Sequence, residues 1–170
     1  MQTKETLAVT TRGDREIVMT RAFRAPRGLV YDCYTKPELL KRWLHGPDGW
    51  LLAVCESDLR VGGAFRWVWR NADGREMGMR GVHRDIVPLE RIVRTESFDQ
   101  DWTGGEALGT LVLTEQGGKT TVTTTVLYAS REARDGALKS GMEKGVTTSY
   151  DRLDELLAST LAEGGARSAA

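Results

Sequence analysis

The chain has 170 residues, with Lys+Arg and Asp+Glu both at 24 and a formal net charge of zero. That length suits one domain with a substantial core. The charge balance leaves no excess of cations for phosphates, which argues against nucleic acid and against a basic membrane-binding surface, and no apolar run reaches the ~18 residues that span a bilayer.

Residues 1–14 read as an N-terminal extension with an additional extended piece at Thr6 to Arg12. Met1 to Thr11 carry Lys4 and Glu5 and no apolar signal core, so a cytoplasmic protein is expected. Glu16 to Arg24 reads as a strand. Ala25-Pro26 ends it, and Pro26 suits the first position of a helix, where its missing N–H costs nothing. Leu29, Val30, Cys33 and Tyr34 follow at helical spacing. Pro37 restarts a second short helix carrying Leu39, Leu40, Trp43 and Leu44 on one side, and the pair is expected to form a small V-shaped lid.

Six strands come next. Trp50 to Asp58 ends before the Gly62-Gly63 turn, and Ala64 to Arg70 places Phe65, Trp67 and Trp69 on one face. Asn71-Ala72-Asp73-Gly74 is a hairpin signal. Glu76 to Val87 and Arg91 to Phe98 flank Pro88, and a polar loop from Asp99 to Gly105 holds Trp102. Ala107 to Glu115 and Lys119 to Tyr128 are joined at Gln116-Gly117-Gly118; the β-branched run Thr120 to Thr125 favours a strand.

One long helix is expected from Arg131 to about Ala158, with Ser130 as N-cap, Glu132 matching the helix dipole, and an inner stripe of Leu138, Met142, Val146, Ser149, Leu153, Leu156 and Leu157. Gly136, Gly141 and Gly145 each cost such a helix roughly 1 kcal/mol. They are read as places where its backbone closes on either the sheet or a ligand, with the sheet favoured. Residues 161–170 are small and polar, and are expected to be a disordered tail after a domain spanning 15–160.

Tight turns between consecutive strands make an antiparallel meander with one apolar face. Only the C-terminal helix is left to cover it. The expected fold is therefore α+β: a curved antiparallel sheet of about seven strands wrapped around one long helix, with two short helices after the first strand. Such a sheet leaves a gap lined with apolar side chains, suited to a small hydrophobic molecule.

Particular residues carry a resemblance. Ala25-Pro26, Val30-Tyr31-Asp32, Thr35-Lys36-Pro37-Glu38, Trp43, Gly46-Pro47 and Trp50 stand in order. They are followed by Asp58-Leu59-Arg60, Gly62-Gly63, Asp73-Gly74, Gly81, Pro88-Leu89-Glu90-Arg91, Thr95-Glu96, Gly145 and Arg152-Leu153. In this order the chain resembles the SRPBCC (START-like) superfamily from about Arg15 to Ala158, and within it proteins similar to the C-terminal domain of the heat-shock-protein ATPase activator. The resemblance implies the helix-grip fold with an internal cavity. It also implies one of three roles, namely binding of a lipophilic ligand, a co-chaperone-type interaction module, or a polyketide cyclase-like enzyme. A chaperone partner and a homodimer through a strand edge or sheet face stay open. Three positions depart from the family pattern. Val61 replaces a usual Pro, Gly28 a usual charged helix former, and Leu44-His45 a usual second Trp, which alters the cavity mouth.

The candidate cavity residues are Trp43, His45, Trp50, Trp67, Trp69, Met79, His83, Glu96, Phe98, Trp102, Met142 and Val146. The tryptophans suit either core packing or an aromatic wall for a flat ligand. Met77, Met79 and Met142 suit irregular space. His45 is expected at the rim and His83 inside, as a ligand anchor or acid/base group, or else both are ordinary strand and surface residues. Strand charges such as Arg66, Arg80, Arg84, Glu56, Asp58 and Glu96 are expected on the outer face, and Arg80 or Glu96 would need polar partners if turned inward. Two histidines without HxH or HExxH spacing, and two cysteines (Cys33, Cys55) without CxxC spacing, give no expectation of a metal site or a cofactor. The cysteines suit small core residues in a reducing compartment. There is no G-x-S-x-G elbow, no P-loop and no GxGxxG after a strand, so no catalytic residue is assigned and enzymatic activity stays open.

Overall fold

The computed structural model describes residues 5–101 and 104–169, with side chains placed as far as residue 164. Its strands are β1 (Ala8–Arg12), β2 (Glu16–Phe23), β3 (Trp50–Ser57), β4 (Ala64–Asn71), β5 (Glu76–Val87), β6 (Arg91–Phe98), β7 (Ala107–Gln116) and β8 (Lys119–Leu127). They form one eight-stranded sheet in the order β1-β2-β8-β7-β6-β5-β4-β3. Neighbouring strands are antiparallel throughout. The expected meander runs from β3 to β8, and β1 is the additional N-terminal strand. Helices α1 (Arg27–Thr35) and α2 (Pro37–Trp43) connect β2 to β3 at the far edge of the sheet.

The strand alternation sets the inner face. Ile17, Met19, Arg21 and Phe23 of β2 are buried, with partly exposed residues between them. Arg21 is the exception in charge. Its side chain is 1% exposed and donates to Asp151 at 2.8 Å, with the guanidinium 5.2 Å from the Phe23 ring centre. Register shifts between Leu52 and Val54 and between His83 and Asp85 bend β3 and β5. Near the second bend Gly81 has no room for a side chain: a Cβ there would lie 1.8 Å from the Thr95 carbonyl oxygen and 2.6 Å from Phe65.

The single helix expected from Arg131 to Ala158 is two helices, α3 (Arg131–Lys139) and α4 (Met142–Ala169). Ser130 does cap α3, its hydroxyl accepting from the Ala133 N–H at 3.0 Å. The helix then stops at Ser140, and Gly141 takes φ +84°, a left-handed conformation that glycine adopts without a Cβ clash. The break rotates the apolar stripe. Leu138, expected to face inward, is exposed, while Ala133 and Ala137 are buried in its place. Gly145 closes on Pro47 of the α2–β3 loop rather than on the sheet, and Gly136 has open space around it. α4 runs on to Ala169, through the segment expected to be disordered.

The middle of α4, Tyr150 to Leu157, is seated on the sheet. Leu153, Leu156 and Leu157 are buried, Tyr150 packs edge-on against Phe23, and Asp151 holds Arg21. Each fully buried side chain of this kind contributes roughly 2 kcal/mol. Nearer its N-terminus α4 closes on the α2–β3 loop, with Gly145 against Pro47, and a hollow remains between helix and sheet.

Candidate functional site

The hollow has a volume of about 620 Å³. Inward positions of successive strands make its floor: Trp67 and Trp69 of β4, Met77 and Met79 of β5, Ile92, Arg94, Glu96 and Phe98 of β6, then Gly109 and Leu111 of β7. Tyr34, Leu40 and Trp43 wall it from α1 and α2, and Met142, Val146, Ser149 and Tyr150 roof it from α4. Trp43 is 1% exposed and its indole N–H donates to the Cys33 carbonyl at 2.9 Å. This bond ties α2 to α1, and Tyr34 packs edge-on against the same indole.

The α2–β3 loop forms one side of the hollow through Leu44, His45, Gly46 and Pro47. Contacts from β4 and α4 hold it. The Trp69 indole donates to the Leu44 carbonyl at 2.9 Å, the Gly46 N–H donates to the Ser149 hydroxyl at 2.9 Å, and Arg152 donates to the Gly46 carbonyl at 3.1 Å and to Asp48 at 3.2 Å. A steric contact adds to these, since a Cβ on Gly145 would stand 3.3 Å from Pro47 Cδ. Trp50, Met77, Phe98, Met142 and Val146 are only partly buried, and mark the side nearest solvent.

Most of the sequence-predicted candidates meet at this wall: Trp43, His45, Trp50, Trp67, Trp69, Met79, Glu96, Phe98, Met142 and Val146 all border the hollow. Trp102 lies outside the described residues. His83 is on the inner face of β5 but does not border the hollow. It is 3% exposed, its ring centre 5.7 Å from that of Phe65 and its Nε2 3.2 Å from the Ser57 hydroxyl. Burial, and then the positive charge of Arg94, push its pKa below the ordinary histidine value, against an opposing pull from Asp58. Nδ1 is buried without a hydrogen-bond partner. His45 does stand at the rim, where its Nε2 bonds the Lys41 carbonyl at 2.5 Å.

Glu96 turns inward, with Arg94 as the partner such a charge requires. Arg94 Nε donates to Glu96 Oε2 at 3.2 Å, and the guanidinium lies 4.3 Å from the Trp67 ring centre and 4.9 Å from that of Phe65. Arg80, by contrast, points outward and shares Asp99 with Arg66. Arg94 was not among the sequence candidates. Its signal is the alternation Ile92, Arg94, Glu96, Phe98, in which apolar residues bracket two charges on one strand face. Tyr34, Tyr128 and Tyr150 were missed as well. Burial raises the pKa of Tyr34 and Tyr128, the latter helped by the Glu96 charge, so these hydroxyls stay protonated. The site is thus an apolar and aromatic hollow with neutral phenols and one internal ion pair. Among the described residues no cluster of three His, Cys, Asp or Glu side chains suited to a metal ion occurs.

Similar proteins share this framework. A crystal structure of a Rhodobacter sphaeroides protein is 32% identical, with 90% of this chain and 98% of that one covered and a TM-score of 0.85. A Chromobacterium violaceum protein is 26% identical over 84% of this chain and 96% of its own, with a TM-score of 0.70. One from Mycobacterium smegmatis, at 24% identity, 91% and 99% coverage and a TM-score of 0.79, shares the fold. No curated protein matches the chain. Residues 24–158, from the end of β2 into α4, match the family described as activator of Hsp90 ATPase homolog 1-like protein. The helix-grip arrangement and this match over most of the chain make it a member of that family, within the SRPBCC superfamily.

Proposed function

We propose that the protein binds a small hydrophobic molecule in the hollow between the sheet and α4. The observation that carries this reading is the hollow itself: about 620 Å³, walled by indole, phenyl and thioether groups, within the range of small-molecule sites at ~300–1,000 Å³. The aromatic side chains do not collapse into it, because the α2–β3 loop is clamped between Trp69 and α4 and holds the roof off the floor. The two free, buried cysteines support a reducing compartment such as the cytoplasm. No described helix is long and apolar enough to cross a membrane.

A co-chaperone module would present a continuous apolar patch. Among the described residues the exposed large apolar side chains are instead scattered: Leu51 is on β3, Leu59 and Val61 lie past its C-terminal end, Leu89 is in the β5–β6 turn, and Leu138 and Leu161 are on separate helices. Ligand binding is therefore favoured. Titration with the neutral fluorophore N-phenyl-1-naphthylamine, followed by energy transfer from tryptophan, tests it. Saturation at one molecule per chain is expected, and absence of saturable binding would overturn the proposal.

A further inference from the structure

Resting on that reading, we infer that the occupant is a neutral molecule whose apolar frame carries two adjacent oxygen functions, one a hydroxyl donating to Glu96 and the other an acceptor for Arg94. Catechols, vicinal diols and hydroxy-carbonyl compounds belong to this class.

The argument starts from unused hydrogen-bonding capacity. Arg94 and Glu96 are joined by one bond, from Nε to Oε2. Among the described residues, the two Nη groups of Arg94 and Oε1 of Glu96 have no partner. Their side chains are 23% and 14% exposed, and both border the hollow. Both are also held in place. The Arg94 guanidinium is packed against the Trp67 and Phe65 rings, which leaves its N–H edge free. The Glu96 carboxyl rests against Gly109 of β7, where a Cβ would stand 3.0 Å from its Cδ and Oε2. Gly109 pairs with Arg94 across the strands, so this one glycine clears room beside both charges.

Charge decides the class. The pair is neutral, and its surroundings are apolar. A carboxylate or an amine on the ligand would add an unbalanced charge to a poorly solvated site, at a desolvation cost that no counter-ion there offsets. A purely hydrocarbon ligand would cover the free Nη and Oε1 groups without replacing their water. A neutral donor and acceptor placed side by side satisfy both. Because the guanidinium and the carboxylate are joined side by side, the two ligand oxygens must be close neighbours too, as they are on adjacent carbons.

The test is a fluorescence titration with naphthalene, naphthalene-2,3-diol, 2,3-dimethoxynaphthalene and 3-hydroxy-2-naphthoate. The diol is expected to bind at least about ten-fold more tightly than the other three, since a site that hydrogen-bonds a hydroxyl rejects analogues lacking it. In Glu96→Gln the site gains a net positive charge, and the naphthoate should become the preferred ligand. Arg94→Met should weaken the diol while leaving naphthalene little changed. The wild-type ranking stands without either variant if they fail to fold. Equal affinities for naphthalene and the diol, or preference for the naphthoate or the dimethoxy compound in the wild type, would overturn this inference while leaving the hydrophobic-ligand reading intact. If none of the four binds while N-phenyl-1-naphthylamine does, this inference alone falls; if that probe fails as well, both fall.

Discussion

His83 is held in the fold as a neutral imidazole, its pKa lowered from 6.5 by burial and by Arg94, with Asp58 pulling weakly the other way. In the unfolded chain it protonates near 6.5; in the folded chain it does so only at lower pH. Below 6.5 the unfolded state therefore binds more protons, and stability falls as the solution is acidified. Asp99, whose carboxylate is held below 3.8 by Arg66 and Arg80, loses its contribution only at still lower pH. The melting temperature should thus drop between about pH 7 and pH 5, and His83→Gln should flatten that drop. A wild-type profile already flat across this window would contradict the assignment. The same residue shows where sequence reading reaches its limit. Alternation along β5 places His83 on the same face as Met79, but does not tell that its ring packs near Phe65 rather than bordering the hollow. Arg94 was missed for a related reason: charges on strands were assigned to the outer face, although Ile92 and Phe98 on the same face point inward.

Glycines make the sharpest predictions for the secondary-structure elements. Gly81→Ala sets a methyl group against the Thr95 carbonyl of β6 and the Phe65 ring of β4, and both neighbours are fixed by the sheet. A loss of about 3 kcal/mol or more is expected in denaturant unfolding, at the severe end for a single substitution. In the C-terminal region two glycines should respond with opposite signs. Gly136→Ala, exposed within α3 and free of neighbours, should stabilise by up to about 1 kcal/mol. Gly141→Ala, at φ +84°, should destabilise by about 1 kcal/mol. Stabilisation at both positions would mean one unbroken helix, as the periodicity of the sequence suggests. The strands were readable because Asp-Gly and Gly-Gly turns punctuate them and their alternation is plain. The helix break was not, because a glycine inside a helix and a glycine ending one look alike when apolar spacing continues on both sides.

For the molecule as a whole, the account requires the N-terminal part of α4 to stand off the sheet and leave usable space. The order of elements made that arrangement readable, since only the C-terminal helical region remained to cover the meander. The clamp that keeps the space open was not readable, because it depends on Gly46, Ser149 and Arg152, residues a hundred positions apart in sequence that meet only in the fold. The most direct measurement compares N-phenyl-1-naphthylamine affinity in the wild type and in Val146→Trp, which projects an indole from α4 into the hollow. The expected result is at least about ten-fold weaker binding in the variant with its circular dichroism spectrum preserved, because the added side chain occupies the ligand's volume. Equal affinity in the two proteins, with the variant folded, would show that the probe binds elsewhere and would contradict the account.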